Sequence, residues 1–223
     1  MPSQVLVAGL KIKKRYYVRN KLGEGKFGEV YKAYDKVEKM DVALKAVATV
    51  NTVEEKEDAS AIGEARILLL LNKNKCKGSP QLYDYFSYKS HSILVMELFK
   101  TDFHQLLKHH PKKSFSKQSL LHFAYHVIEA IKNIHQIGIL HRDIKPANIF
   151  LRNDQSHQNP GNVVRGNNGW LKTIVELLLN QQYGRTPRYQ EILDEISRHS
   201  RIPVTRDFEV VVNSDGTSYL KDF

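Results

Sequence analysis

The chain has 223 residues, 41% of them hydrophobic and 26% charged, a balance that fits a globular protein with its own core and excludes disordered, collagen-like and low-complexity classes. Its single cysteine, Cys76, rules out an internal disulfide or a cysteine-rich metal centre and suits a reducing compartment. The 34 Lys and Arg against 24 Asp and Glu leave a formal charge of +10, which favours anionic partners, whether phosphates, nucleic acid or acidic protein surfaces, without choosing among them.

From the N-terminus, Val5-Leu6-Val7 has no basic segment before it, so a secretory signal is not expected. No apolar run approaches the roughly 20 residues that span a bilayer. Cytoplasm or nucleus is the expected location, with no membrane partner. Positive residues cluster at Lys11, Lys13, Lys14, Arg15, Arg19 and Lys21, and again at Lys108, Lys112, Lys113 and Lys117; a solvated face accounts for such runs as readily as a ligand does. Residues 1–15 read as a basic N-terminal extension.

Residues 16–18, 29–34 and 41–47 alternate as strands do, with a glycine-rich turn between the first two. The acidic stretch Glu54-Glu55-Lys56-Glu57-Asp58 reads as a loop. A helix is predicted over 61–71, with Ile62, Ala65 and Leu69 at helical intervals and Gly63 weakening it. Strands follow at 81–86 and 92–98. Leu120, Phe123, Ala124, Val127, Ile128, Ile131 and Ile134 recur at three- and four-residue steps, which predicts a long helix over 118–137 with Gly138 as its stop. Residues 153–169 read as a linker or insertion. Helices are expected at 170–182 and 187–198, with Pro187 in the first turn. A hairpin is expected around Asn213-Ser214-Asp215-Gly216.

Leu22-Gly23-Glu24-Gly25-Lys26-Phe27-Gly28-Glu29-Val30 is a G-x-G-x-x-G-x-V loop. Glycines let the backbone approach phosphate oxygens and aim amide N–H groups at negative charge. A dinucleotide-binding turn needs a helix directly after the last glycine, whereas the residues after Val30 read as a strand. Lys45 ends the alternating run Val42-Ala43-Leu44-Lys45 and would be costly to bury without an anion. Nucleotide phosphate and Glu64 are both candidates. In His141-Arg142-Asp143-Ile144-Lys145-Pro146-Ala147-Asn148, Asp143 can accept a proton, Lys145 can steady a transferring phosphate, and the Asn148 amide oxygen is a hard ligand suited to magnesium.

In this order and spacing, the glycine loop, the lysine strand, the helix that carries Glu64 and the aspartate loop make 16–151 resemble the eukaryotic protein kinase family. The resemblance implies an α+β, bilobal fold: an N-lobe of antiparallel sheet and one helix at 16–99, and a truncated, mainly helical C-lobe at 100–151. It implies that Gly23, Gly25, Gly28 and Val30 cover ATP, and that Lys45, paired with Glu64, contacts the phosphates. Met96 would back the adenine, and the backbone of Glu97-Leu98-Phe99 would hydrogen-bond it. Asp143 would be the catalytic base, Lys145 would stabilise the transferred group, and Asn148 and Asp222 would hold Mg2+. Lysine two positions after Asp143 resembles the serine/threonine subclass, and the acceptor would be a protein hydroxyl. The segments Gly78-Ser79-Pro80-Gln81 and 138–146 are similar to the casein kinase and tau-tubulin kinase group.

The pattern departs from the family after Leu151. The second metal-binding aspartate is matched to Asp222, in preference to Asp207, which makes 152–217 an insertion, and no activation segment follows Phe223. Transfer depends on positioning, so slow turnover is expected of the chain alone. Residues 170–223 form an atypical helical and hairpin segment that resembles the winged helix of transcription factor IIE beta, without its third helix. Two other readings stand beside the enzyme: a nucleotide-binding, pseudokinase-like module without turnover, and a nucleic-acid-binding protein acting through its basic and winged-helix-like segments.

Overall fold

Alternating side chains carry residues up to Glu97 into one six-stranded antiparallel sheet. Its strands are β1 (Lys11–Ile12), β2 (Tyr16–Gly25), β3 (Gly28–Asp35), β4 (Met40–Ala48), β5 (Leu82–Tyr88) and β6 (His91–Glu97), in the spatial order β1-β2-β3-β4-β6-β5. The computed structural model describes residues 5–25, 28–49, 58–152, 187–200, 210–215 and 217–220. The expected linker at 153–169, the helix at 170–182, Asp207 and Asp222 lie outside the described residues. The chain divides into two units, 1–99 and 100–223.

Directly opposed residues of neighbouring strands share a face of the sheet, and in the first unit one face is the core. Val18, Ala33 and Val42 form one row, Tyr31, Leu44 and Val95 a second, and Ala46 and Ile93 a third. None of these is more than 2% exposed. The basic segment before β2 contributes Val5, Leu6, Leu10 and Ile12 to this core. Leu6 and Ile12 are buried in it, and Ile12 pairs with Tyr16 across β1 and β2. Arg15 grips both carboxylate oxygens of the fully buried Asp35, and Lys13 and Tyr16 both bond Asp84. The lysines dominate the charge of this segment, but Leu6, Leu10 and Ile12 between them decide its packing.

Helix α1 (Asp58–Lys73) packs on β5 and β6. Its buried stripe is Ala61, Ala65, Leu68 and Leu71, whereas Leu69, expected on that stripe, is 55% exposed. The apolar run 67–71 satisfies either phase of a helix, so contact with the sheet settles what periodicity left open.

Among the described residues, the second unit holds α2 (Phe103–His109), α3 (Lys117–Gln136) and α4 (Tyr189–His199), with two small antiparallel ladders. One pairs β7 (Thr101–Asp102) with β8 (Phe150–Leu151), the other β9 (Val210–Val212) with β10 (Ser218–Leu220). The Ser116 hydroxyl caps α3 by accepting from Ser119 N. The helix ends at Gly138, whose φ of +79° suits glycine, with Gly138 N bonded to His135 O and Ile139 N to Ile134 O, the Schellman pattern. Leu120, expected to be buried, is 40% exposed, and Leu121 is buried instead. The reason is that α3 packs on two sides. Leu121 meets Ile192 and Ile196 of α4, while Phe123 packs with Phe103 and Leu106 of α2. Pro187 lies before the cap of α4 at Arg188, outside the first turn where it was expected. The hairpin forms around residues 213–217 and packs on α2, with Tyr219 edge-on to His110. No helix among the described residues is long and apolar enough to cross a membrane.

Candidate active site

Strand register assembles the first group of expected site residues. Gly23 opposes Val30, Gly25 opposes Gly28, Val30 opposes Lys45, Lys45 opposes Leu94, and Ala43 opposes Met96. By the two-residue alternation of strands, all of these lie on the sheet face opposite the core. Three glycines therefore clear that face at the hairpin of β2 and β3. They are not equivalent. A Cβ on Gly28, at φ +117°, would stand 2.2 Å from Ala46 O, while one on Gly23 or Gly25 would meet nothing within 4 Å. Gly28 is thus required by the close approach of β4. Gly23 and Gly25 leave open space, which a phosphate chain fits.

Lys45 stands in mid-sheet with its side chain 18% exposed. Its ammonium lies 2.8 and 2.6 Å from the two oxygens of Glu64 on α1, so of the two anions open to it, this one is present. Glu64 is next to the buried Ala65, where the packing of α1 on β5 and β6 carries it to the sheet. An ammonium has three donors, and this pairing leaves one for a further anion. Met96, half-buried, is one row along from Lys45 on the same face. Glu97 ends β6, its amide donating to Gln81 O and its carboxylate accepting from Gln81 N. Phe99 follows as the last residue of the unit.

The second group lies on a loop between α3 and β8. The loop is held at its far end by the ladder of β7 and β8 and by Phe103 N donating to Ile149 O at 2.8 Å. Pro146–Asn148 forms one 3-10 turn, Pro146 supplying a preset φ at its start. The Lys145 ammonium bonds Asp143 Oδ2 at 2.9 Å, and Asn148 Nδ2 donates to the same oxygen at 2.8 Å and to Asp143 O at 2.9 Å. These bonds, that of Lys145 foremost, hold the Asp143 carboxyl below its ordinary range. It is ionised at neutral pH, with Oδ1 outside this network. Because the Asn148 nitrogen is spent on Asp143, its oxygen keeps its acceptor capacity. That suits a hard cation such as magnesium.

The structure therefore gathers Gly23, Gly25, Gly28, Val30, Lys45, Glu64 and Met96 in the first unit, and Asp143, Lys145 and Asn148 in the second. Two residues were missed from sequence. Ala43, 6% exposed, shares the face with Lys45 two positions away, and its strand alternation was a sufficient signal. Arg142 takes φ +64°, a left-handed backbone that non-glycine residues adopt rarely and that clusters at functional loops; no local sequence signal marks it.

The protein kinase domain family matches residues 16–161, more than half of the chain. Among similar proteins, the serine/threonine-protein kinase AFC1 of Arabidopsis thaliana is 29% identical over 66% of this chain and 31% of its own length. The dual specificity tyrosine-phosphorylation-regulated kinase 3 of Homo sapiens is 33% identical over 62% of this chain and 23% of its own. The kinase mbk-2 of Caenorhabditis elegans is 31% identical over 67% and 18%. The chain spans about a third or less of these relatives, and none of the three bears a casein or tau-tubulin kinase name. With a glycine-cleared sheet face, a lysine–glutamate pair and an aspartate loop in the order of that family, and with its domain matched over the same residues, the chain belongs to the protein kinase family.

Proposed function

We propose that this chain carries the nucleotide-binding and catalytic-loop part of a serine/threonine protein kinase, which transfers the γ-phosphate of ATP to a protein hydroxyl. The observation that carries this reading is the Lys45–Glu64 ion pair on the sheet face that the glycines clear. On this reading the backbone at Gly23 and Gly25 approaches the phosphates. The third donor of Lys45 binds them, Met96 bounds the adenine site, and the Glu97–Phe99 backbone meets the base.

The Asp143 carboxylate orients the acceptor hydroxyl and takes its proton as the oxygen attacks the γ-phosphorus. The bond from phosphorus to the β-bridging oxygen breaks, and ADP leaves. Lys145 offsets charge on the transferred group. Asn148, with Asp222, would hold magnesium, which when bound neutralises the phosphate charge. The proposed acceptor is a serine or threonine of a protein in the cytoplasm or nucleus.

The test is thermal melting of the full chain with and without ATP and magnesium, since a ligand that binds only the folded state raises stability by mass action. Wild type should shift and Lys45→Ala should not, and labelled phosphate should reach an acceptor protein. A shift without transfer would move the reading to a nucleotide-binding module. No shift, with DNA binding that falls steeply as salt rises, would move it to a nucleic-acid-binding protein.

A further inference from the structure

The side of the β2–β3 hairpin that faces away from Lys45 holds a cluster with no part in the scheme above. Glu24 and Glu29 are direct cross-strand partners, and like charges so placed repel one another. Lys21 lies between them, its ammonium 2.5 Å from Glu24 Oε2 and 2.7 Å from Glu29 Oε1. The second oxygen of Glu29 accepts from the amide of Val5 at 3.1 Å and from the Tyr31 hydroxyl. Tyr31, in turn, accepts from the amide of Leu6 at 3.3 Å. Tyr31 and Leu6 are at most 1% exposed, so this end of the cluster is rooted in the core. The Glu29 side chain itself is only 19% exposed.

A second feature of the same hairpin gives the cluster its meaning. The register of β2 on β3 shifts twice, between Val18 and Lys21 and again between Lys21 and Gly23. Past the second shift β2 continues as Gly23-Glu24-Gly25, a glycine-rich and polar stretch of the kind that specifies register weakly, and a slip of one residue turns every side chain to the other face. Slippage here would bring Glu24 onto the face that Gly23 and Gly25 keep clear, and a carboxylate there would repel a triphosphate. The bonds of Glu29 to Lys21 reach across the two strands just where the ladder is irregular, and those to Val5 and Tyr31 tie the hairpin to the core.

We propose that Glu29 is a positioning residue which, through Lys21, Tyr31 and the backbone of the segment at Val5 and Leu6, locks the register of the hairpin so that its glycines and not its carboxylates face the nucleotide phosphates. The inference rests on the nucleotide reading for its consequence, but not for its geometry. It makes the backbone at Val5 and Leu6 a support of the phosphate site.

The experiment compares wild type, Glu29→Leu and Lys21→Arg in the full chain. Backbone hydrogen exchange at 23–25 and 28–30 is read without ligand, and affinity is read for ATP with magnesium and for adenosine. Glu29→Leu should exchange faster at these residues, with exchange at 42–46 of β4 unchanged. It should bind ATP about 10-fold or more weakly, the change that each loss of about 1.4 kcal/mol of interaction makes in an affinity, and bind adenosine as wild type does. Lys21→Arg, which keeps the cation, should behave as wild type in both. Equal exchange in wild type and Glu29→Leu would overturn the proposal. So would parallel loss of ATP and adenosine, the sign of a merely structural role. If wild type binds neither ligand, the nucleotide reading falls, and exchange at the hairpin still decides whether Glu29 locks it.

Discussion

The two units hold their candidate site residues in opposite ways. In the first, those residues are also fold residues. Lys45 occupies a ladder position between Val30 and Leu94, Glu64 adjoins the buried stripe of α1, and Gly28 opens β3 where the backbone of Ala46 in β4 comes close. In the second, Asp143 and Lys145 are more than half exposed on a loop with little packing of its own, and Leu140 and Ile144 beside them are exposed as well. Substitution at Lys45, Glu64 or Gly28 should therefore cost stability, and at Asp143 or Lys145 function alone. Two glycines in the first unit offer a sharper division still.

The largest effect should come from Gly28→Ala. Its new Cβ would meet backbone 2.2 Å away at a φ of +117°, and strain and overpacking together should cost about 4 kcal/mol. Gly25→Ala meets no atom and should change stability by less than about 1 kcal/mol, while weakening ATP. Denaturant melts with nucleotide titrations separate the two. Equal stability losses would mean that the open face at Gly25 is filled by the protein itself. In the second unit the comparable weak point is a side chain far from the aspartate loop. Ile192 of α4 is fully buried against Leu121 of α3, and Ile192→Ala should cost about 3 kcal/mol. A cost under about 1 kcal/mol would mean that α4 contributes little to holding α3.

Protons should act more mildly, and mostly on the first unit. Bonds from Lys21, then Tyr31, lower Glu29 to about 2, and the bidentate bond from Arg15 lowers Asp35. Burial pushes Asp84 up, but the bonds from Lys13 and Tyr16 outweigh it and hold it below its usual range. A carboxylate with a depressed folded pKa stabilises above its unfolded value and loses that contribution as pH falls through the folded one. Stability should therefore be level above about pH 4.5, the unfolded value for glutamate, and fall toward pH 2. Glu29→Gln should flatten that limb in equilibrium melts across pH. An unchanged slope would assign the acid sensitivity to the two aspartates.

The sheet was legible because strands announce themselves by alternation and by turn residues, and six strands in register leave few other pairings. Gly23, Gly25, Val30, Lys45 and Met96 were legible only through the resemblance to the kinase family, and it took the register of the strands to put them on one face. The phase of α1 was not legible, because the run Ile67-Leu68-Leu69-Leu70-Leu71 has no polar residue to mark its outer side. The burial of Leu121 in place of Leu120 depended on α4, which lies more than fifty residues further on and packs on a side of α3 that local periodicity does not report. The packing of residues 5–15 was not legible for a related reason. Counting lysines describes what water sees, and the role of Leu6 and Ile12 depends on what the sheet needs covered. The clamp on Glu29 was beyond sequence altogether, since it joins Val5, Lys21 and Tyr31 through one carboxylate.

The smallest stability change should belong to the residue with the largest proposed chemical role. Asp143 is 55% exposed, and its partners, Lys145 and Asn148, lie on the same loop, so no distant element depends on it. Asp143→Asn keeps the shape of the side chain and removes its charge. Asparagine can still accept from Lys145 and Asn148, so the melt should move by less than about 0.5 kcal/mol. A group that takes a proton in the transition state contributes about 10²–10⁴-fold to rate, and phosphoryl transfer should fall by that factor with ATP binding retained. The Lys45→Ala variant should do the reverse, losing ATP first and rate as a consequence. If Asp143→Asn instead unfolded the chain, the loop would be a structural strut, and the contrast between the two units would disappear. If it left the rate intact, the proton would have to leave by another route, and the chemistry assigned to this loop would be wrong even though its fold and family are right.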